Sequence, residues 1–529
     1  MSSQWLWVDD AAGDDFDTRL TNAIATVTAG STSGIVVIGR TGSPHEYSGA
    51  TPITVPPEVT LIFQDGVIDM SSATGNLTIQ GPIVAPPKHI FTMPTPTDHN
   101  DTYLKIRDED DDRYVNPNVG YFWSSWFDDD TDGADIGQQI MKALIVGRDN
   151  THVRIPAGEW FLQTSVYTPN LDDEAPGNWP RFWTIQGAGM GSTLIWIDGD
   201  EDIIGIDLWQ TNVCVVRDLR ILQEGANTSC CIYAAGTSPT VKNVWAGNSK
   251  YAIVVSGIAG GTISDCIIES ASEYGLLVAS GVTDGTIDNF HTGTAITDVR
   301  INNVESYACK YGCGLERLGN PTIRGVTFVN CTFKTNSTRN LRCYSSKSPA
   351  QNQDCIATFI GGNIYDCTNV ASPYAGVYIE EMNVTFIGTN IFANPRQAEY
   401  NAGLPGLASQ DTCGIYVDGT TTVYLIGVTS GDWTGSADPA YNTQHMLWKL
   451  GSNGTPRVYE PVRGYQLNEN EFAFSSTEFN DEDHHINADG KYIGKYVWDT
   501  TTSKPLWADG GDPTDTWCDA TGTTIYTPS

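Results

Sequence analysis

Six residues in the second half of the chain have types and spacing suited to glycosidic-bond chemistry: Glu316, Arg342, Tyr378, Glu380, Tyr416 and Asp418. Hydrolysis needs two carboxyl groups, about 5–5.5 Å apart for retention of configuration or about 6.5–9.5 Å for inversion. Glu380, Asp418 and Glu316 are the candidate catalytic residues. Arg342 offers a forked donor for a substrate carboxylate, and Tyr378 and Tyr416 offer rings on which a sugar can stack. Elimination would instead use a base such as Arg342 or Tyr378 on a uronic acid. The acidic chain argues against a polyanionic polymer, so hydrolysis of a neutral or mildly charged glycan is expected. The structural alternative is that the outward charges are simply solvated and the tyrosines fill a subunit interface.

These residues sit in a recurring six-residue segment, "CIYAAG", "AIVVSG", "GLLVAS", "GLERLG", "NLRCYS", "GVYIEE" and "GIYVDG". The first apolar positions, 232, 253, 276, 315, 341, 377 and 415, are separated by 21, 23, 39, 26, 36 and 38 residues. A minimal repeat with insertions is the signature of a solenoid. The runs are short, β-branched and bounded by Gly, Asn or Asp, so each coil is read as strands joined by turns. Before each segment an Asp or Asn precedes an apolar residue: Asp218-Leu219, Asn243-Val244, Asp265-Cys266, Asn303-Val304 and Asn330-Cys331. Alternation puts Ile232, Ile253, Leu276, Leu315, Leu341, Val377 and Ile415 inside, and Tyr233, Val254, Leu277, Glu316, Arg342, Tyr378 and Tyr416 outside in one column. Tyr344, Glu380 and Asp418 fall on the same side two positions on. Stacked coils lie about 4.8 Å apart, so Glu380 and Asp418 on neighbouring coils would have backbones roughly 5 Å apart.

Two acidic clusters precede short amphipathic helices: Asp14, Asp15 and Asp17 before Leu20, Ile24 and Val27, and Asp128 to Asp132 before Ile136, Ile140 and Leu144. Capping of helix N-termini is the expected role. The second run begins like a calcium loop, but Gln139 stands where the bidentate Glu belongs, so no metal is assigned. His291 and the pair His484-His485 are read as structural or solvent-facing. The scattered cysteines, among them Cys214, Cys231, Cys266, Cys331, Cys343 and Cys413, read as buried thiols made in a reducing cytosol, with neighbours such as Cys309 and Cys313 the alternative for pairing or metal binding. No cofactor is expected.

Fifty-three Gly and 26 Pro in 529 residues favour strands and turns over helices. A net charge of −34 excludes nucleic acid as a partner. No apolar run is long enough to insert in a membrane, and the acidic N-terminus lacks the features of a signal peptide. Three regions are expected: a β-rich capping or attachment region at 1–115, a parallel β-helix at 116–450, and a connection with a terminal module at 451–529.

Residues 121–197, with "HVRIPAGEWFLQTSV" and "FWTIQGAGMGSTLIWID", resemble the opening of the pectate-lyase-like superfamily, matching its later signature at Pro156, Gly158, Gly187, Gly189, Ser192 and Thr193. Gly133 and Gly137 replace its usual Asp and Ile. The last 41 residues, from "DGKYIGKYVWDTTTSKPLW" on, resemble a terminal module of bacteriophage tail-fibre and tailspike proteins. Together these resemblances imply a mainly β chain: a right-handed single-stranded parallel β-helix with short N-terminal capping helices and a small β-rich C-terminal module. They imply a homotrimer, made in the host cytoplasm, carried on the virion tail with other tail proteins, and acting at the host surface. Its partner would be bacterial surface polysaccharide, bound and depolymerised. A non-enzymatic receptor-binding fibre and a free polysaccharide lyase or hydrolase are the alternatives.

Overall fold

The structure is a computed structural model. It describes all residues except 1–3, 30–32, 40–42, 95–102, 108–114, 128–134, 168–181, 199–202, 210, 226–227, 281–294, 318–321, 346–354, 366–375, 392–412, 419–421, 429–445, 451–454, 459–472, 483–486 and 488–495.

The chain is a right-handed parallel β-helix with a small C-terminal sheet. It opens with the strand Gln4–Trp7 and the helix Phe16–Thr28, where Asp15 accepts from the Thr18 N–H at 2.7 Å and so caps the first turn. Phe16, Leu20, Ala23 and Val27 form its buried stripe. Asp17 does not cap. It accepts from the Ser48 hydroxyl at 2.6 Å and the Gly49 N–H at 3.0 Å, tying the helix to the first coil. Strands between Gly34 and Lys105 then pair in parallel in three sheets, so this stretch is itself a short β-helix.

A second helix, Ile136–Gly147, is buried almost all round, as expected of a helix apolar on every face. Asp135 caps it, accepting from the N–H groups of Gly137 at 2.9 Å and Gln163 at 3.0 Å. The Asp128 to Asp132 run lies outside the described residues.

Among the described residues, the coils from Phe122 onward build three parallel sheets. The first sheet runs through Cys230–Thr237, Tyr274–Ala279, Tyr311–Arg317, Arg339–Ser345, Val377–Glu380 and Cys413–Asp418. The second includes Ile296–Asn302 and Ile323–Val329, the third Glu305–Tyr307 and Thr332–Lys334. A single apolar core fills the interior, with Phe328, Phe359 and Phe386 stacked at 4.3 and 5.0 Å between ring centroids.

The recurring Asp and Asn residues form the corner between the second and third sheets. Asp218, Asn243, Asp265, Asn303 and Asn330 all have φ between 51° and 60°, the left-handed conformation that a short polar side chain tolerates. Asn243 donates to Asp218 at 2.7 Å and Asn303 to Asp265 at 3.0 Å, and at Gly361 (φ +64°) glycine takes over the corner. Because Asn303 is exposed, the conformational preference dominates over its hydrogen bond. Asn303→Ala is expected to cost about 1 kcal/mol in urea denaturation, and Asn303→Gly clearly less. Equal losses in the two variants would contradict this account.

Register corrects the sequence reading at one rung. Leu276 pairs with Cys313, and Cys313 with Leu341, so Leu315 sits two positions beyond its expected place, opposite Val278 and Cys343. A shift of two preserves the face, so Leu315 is still core and Glu316 still points out of it. The lower part of the outward column also differs. Tyr233, Val254 and Leu277 lie outside the core, yet they are buried in a second apolar cluster with Tyr251 and Tyr274.

Cys214, Cys230, Cys231, Cys266, Cys309, Cys313, Cys331, Cys343 and Cys518 are free, buried thiols, and burial pushes Cys214, Cys231 and Cys309 up to about 11. Cys413 pairs with Met446 through its backbone. His291 and His484-His485 lie outside the described residues. Among the described residues no helix is long and apolar enough to cross a membrane.

The C-terminal module is a mostly antiparallel sheet from Ala473 to Tyr526 around Phe479, Val497, Leu506 and Trp517. Asn487 is fully buried. Its amide donates to the carbonyls of Phe479 and Asp481 at the end of the helix Ser476–Asn480, and its Oδ1 accepts from Trp517 Nε1 at 2.7 Å.

Candidate active site

Backbone register places the sequence-predicted residues of the first sheet in two adjacent columns. One pairs Gly314, Arg342, Tyr378 and Tyr416, and the other pairs Glu316, Tyr344, Glu380 and Asp418, rung by rung. Glu316 therefore shares a column with Glu380 and Asp418, not with Arg342 as the sequence suggested.

Glu316 and Arg342 still meet across the diagonal, with Arg342 Nη1 2.9 Å from Glu316 Oε1. The Tyr274 hydroxyl donates to the same Glu316 oxygen, and Arg342 Nη1 lies 2.5 Å from the Tyr274 oxygen. Burial and the neighbouring Glu316 carboxylate push the Tyr274 phenol upward, so it stays a donor. Glu316 is only 9% exposed. It is thus held by two donors inside the wall. Arg342 also stacks over Tyr311 at 5.5 Å and Tyr344 at 5.1 Å.

Sequence reading missed the tyrosines beneath this pair. Tyr251, Tyr274 and Tyr311 occupy one register position, and their rings stack, Tyr274 on Tyr311 at 4.7 Å and 20°. Their signal was present: each stands at the start of its strand segment. In the described residues the upper wall is more open. Tyr378 is half-buried, lies under Arg339 at 3.9 Å, and donates from its hydroxyl to Glu380 Oε2 at 2.6 Å. In that contact Glu380 is an acceptor, the role a nucleophile or base requires. Asp418 and Tyr416 are placed by backbone pairing to Glu380 and Tyr378.

Asp207, also missed, heads the outward column on the rung that pairs with Tyr233. Burial pushes its carboxyl up to about 7, although the Trp209 N–H donates to it at 2.8 Å. The folded chain thus holds this proton up to about pH 7, whereas the unfolded chain releases it near pH 4. Stability is therefore expected to fall as pH rises from about 4 to about 7, by about 2–4 kcal/mol given partial exposure. Asp207→Asn should match the parent below pH 4 and melt higher above pH 7. An advantage independent of pH would disprove the assignment.

Among the described residues no three His, Cys, Asp or Glu gather as a metal site.

No family model matches the chain, and no curated protein matches its sequence. Solved structures similar to it include the ORF18 protein of Geobacillus virus E2, 9% identical over 72% of this chain and 68% of that one, with a TM-score of 0.43. Phage tailspikes are among its structural neighbours. The enzymatically active domain of tailspike protein 2 from bacteriophage CBA120 is 13% identical over 65% of this chain, which spans 48% of that one, with a TM-score of 0.42. The A-module of the mannuronan C-5 epimerase AlgE4 of Azotobacter vinelandii is 12% identical over 62% of this chain and 95% of that one, with a TM-score of 0.37.

Proposed function

We propose that the chain is a receptor-binding rod of the phage tailspike type that binds bacterial surface polysaccharide and hydrolyses it on the outward wall of the first sheet. The observation that carries this reading is the pairing of Glu380 with Asp418 on adjacent rungs. Adjacent rungs lie about 4.8 Å apart, which suits the ~5–5.5 Å carboxyl separation of a retaining mechanism. In this reading Glu380, already an acceptor from Tyr378, is the nucleophile, and Asp418 protonates the leaving oxygen. Tyr378 and Tyr416 bound the sugar, while Glu316 with Tyr274 fixes Arg342 toward the groove. The rod would work as a homotrimer on the virion tail, beside other tail proteins, at the host surface.

The test is incubation of the purified protein with host capsule or lipopolysaccharide, followed by assay of new reducing ends and their anomeric configuration. Products of retained configuration are expected. Intact polymer with saturable binding would instead assign a non-enzymatic fibre, and unsaturated products would assign a lyase.

A further inference from the structure

The third sheet carries a second outward strip that the proposed site does not use. Aromatic residues stand on every other rung, Trp196, Tyr307 and Tyr365 in one column and Trp245 in the column two residues before it, as the paired strands show. Charged residues occupy the rungs between them: Arg220, Glu269 and Lys334. All seven are half-buried. The aromatic repeat is two rungs, roughly 10 Å. That is close to the length of two successive sugar rings in an extended glycan.

The charges are balanced locally on a chain whose net charge is −34. Arg220 lies over the Trp245 ring at 3.8 Å and pairs with Glu269 at 3.1 Å, and Glu269 also accepts from the Tyr307 hydroxyl at 2.8 Å. Lys334 pairs with Glu305 at 2.5 Å. A cavity of about 340 Å³ opens among Ile267, Glu305, Tyr307 and Lys334. Its lining is mostly apolar, with the Glu305 carboxylate and the Lys334 ammonium as its charged groups. This is the mix that receives a sugar ring, with the C–H face on Ile267 and Tyr307 and the hydroxyls on Glu305 and Lys334. In five coils the corner toward the second sheet is a single left-handed Asp or Asn, so no wall interrupts the strip there.

The geometry points to a second glycan-binding track on the third sheet, which holds an uncharged, hydroxyl-rich stretch of polysaccharide along the rod axis with one sugar seated in this cavity. The inference rests on the reading of the chain as a glycan-binding rod, but not on cleavage.

The test uses the full-length protein on a printed array of bacterial capsules and lipopolysaccharides. Glycans bound by the parent should lose about tenfold in apparent affinity in Tyr307→Ala and in Lys334→Ala, the change that 1.4 kcal/mol makes. Ile267→Arg, which fills the cavity and leaves the ladder contacts in place, should do the same if the alanine variants fold poorly. Unchanged binding in Ile267→Arg, or no saturable binding by the parent, overturns the track. A change in sedimentation with any of the three also overturns it, because the strip is then a contact between copies of this chain. Failure of cleavage is read separately: a parent that releases no product but loses array binding in Ile267→Arg refutes hydrolysis and leaves the track standing.

Discussion

Glu380→Gln is expected to slow release of reducing ends from the host polymer by at least about a hundredfold, with binding of that polymer retained. A carboxyl group positioned to attack or to shuttle a proton contributes about 10²–10⁴ in rate, and the amide keeps shape and an acceptor while losing both functions. Tyr378 can still donate to the amide oxygen, so the fold around the Val377–Glu380 rung should be undisturbed. Asp418→Asn should cost a similar factor but lose less on substrates with good leaving groups, since such groups need no protonation. Glu381 lies next in the chain, in the left-handed region at φ 55°, and its Glu381→Gln variant is the control expected to keep the parent rate. Full activity in Glu380→Gln would remove this wall as the catalytic centre, whatever its effect on binding.

The second large effect concerns stability. Glu316→Ala should cost about 2–4 kcal/mol, because it strands the Arg342 guanidinium and the Tyr274 hydroxyl in a wall built around their common acceptor. A fully buried pair would cost about 3–5 kcal/mol, and the 28% exposure of the Arg342 side chain lowers the figure. Glu316→Gln should lose about half as much, since it keeps an acceptor. The double variant Glu316→Leu with Arg342→Met should recover most of the loss, because removing both charges leaves neither unpaired. Urea midpoints for the parent, Glu316→Leu, Arg342→Met and the double variant close a double-mutant cycle. A coupling below about 0.5 kcal/mol would show that the pair contributes nothing beyond its packing.

These expectations depend on knowing which residues share a rung, and here sequence and structure divide the work. The strand period is legible because alternation is local. Ile232, Ile253, Leu276, Leu341, Val377 and Ile415 are core residues, as their spacing predicted. So are the caps and corners. Asp15 caps its helix, and each Asp or Asn before an apolar residue marks a left-handed bend, since both roles follow from the residue's own backbone preference. The pairings of Glu380 with Asp418 and of Tyr378 with Tyr416 were also readable, because their segments align without an internal shift.

What the sequence could not decide was register across a variable loop. Moving a rung by two leaves every side chain on the same face, so no local pattern distinguishes Leu315 from Cys313 as the partner of Leu276. Only the stacked coil resolves it. That choice placed Glu316 in the carboxylate column, where it accepts from Arg342 and Tyr274. The same limit hid the raised Asp207 carboxyl and the alternating strip on the third sheet. Both arise from residues that touch only when distant segments of chain are laid side by side, and burial and contact are properties of that stack and not of any one strand.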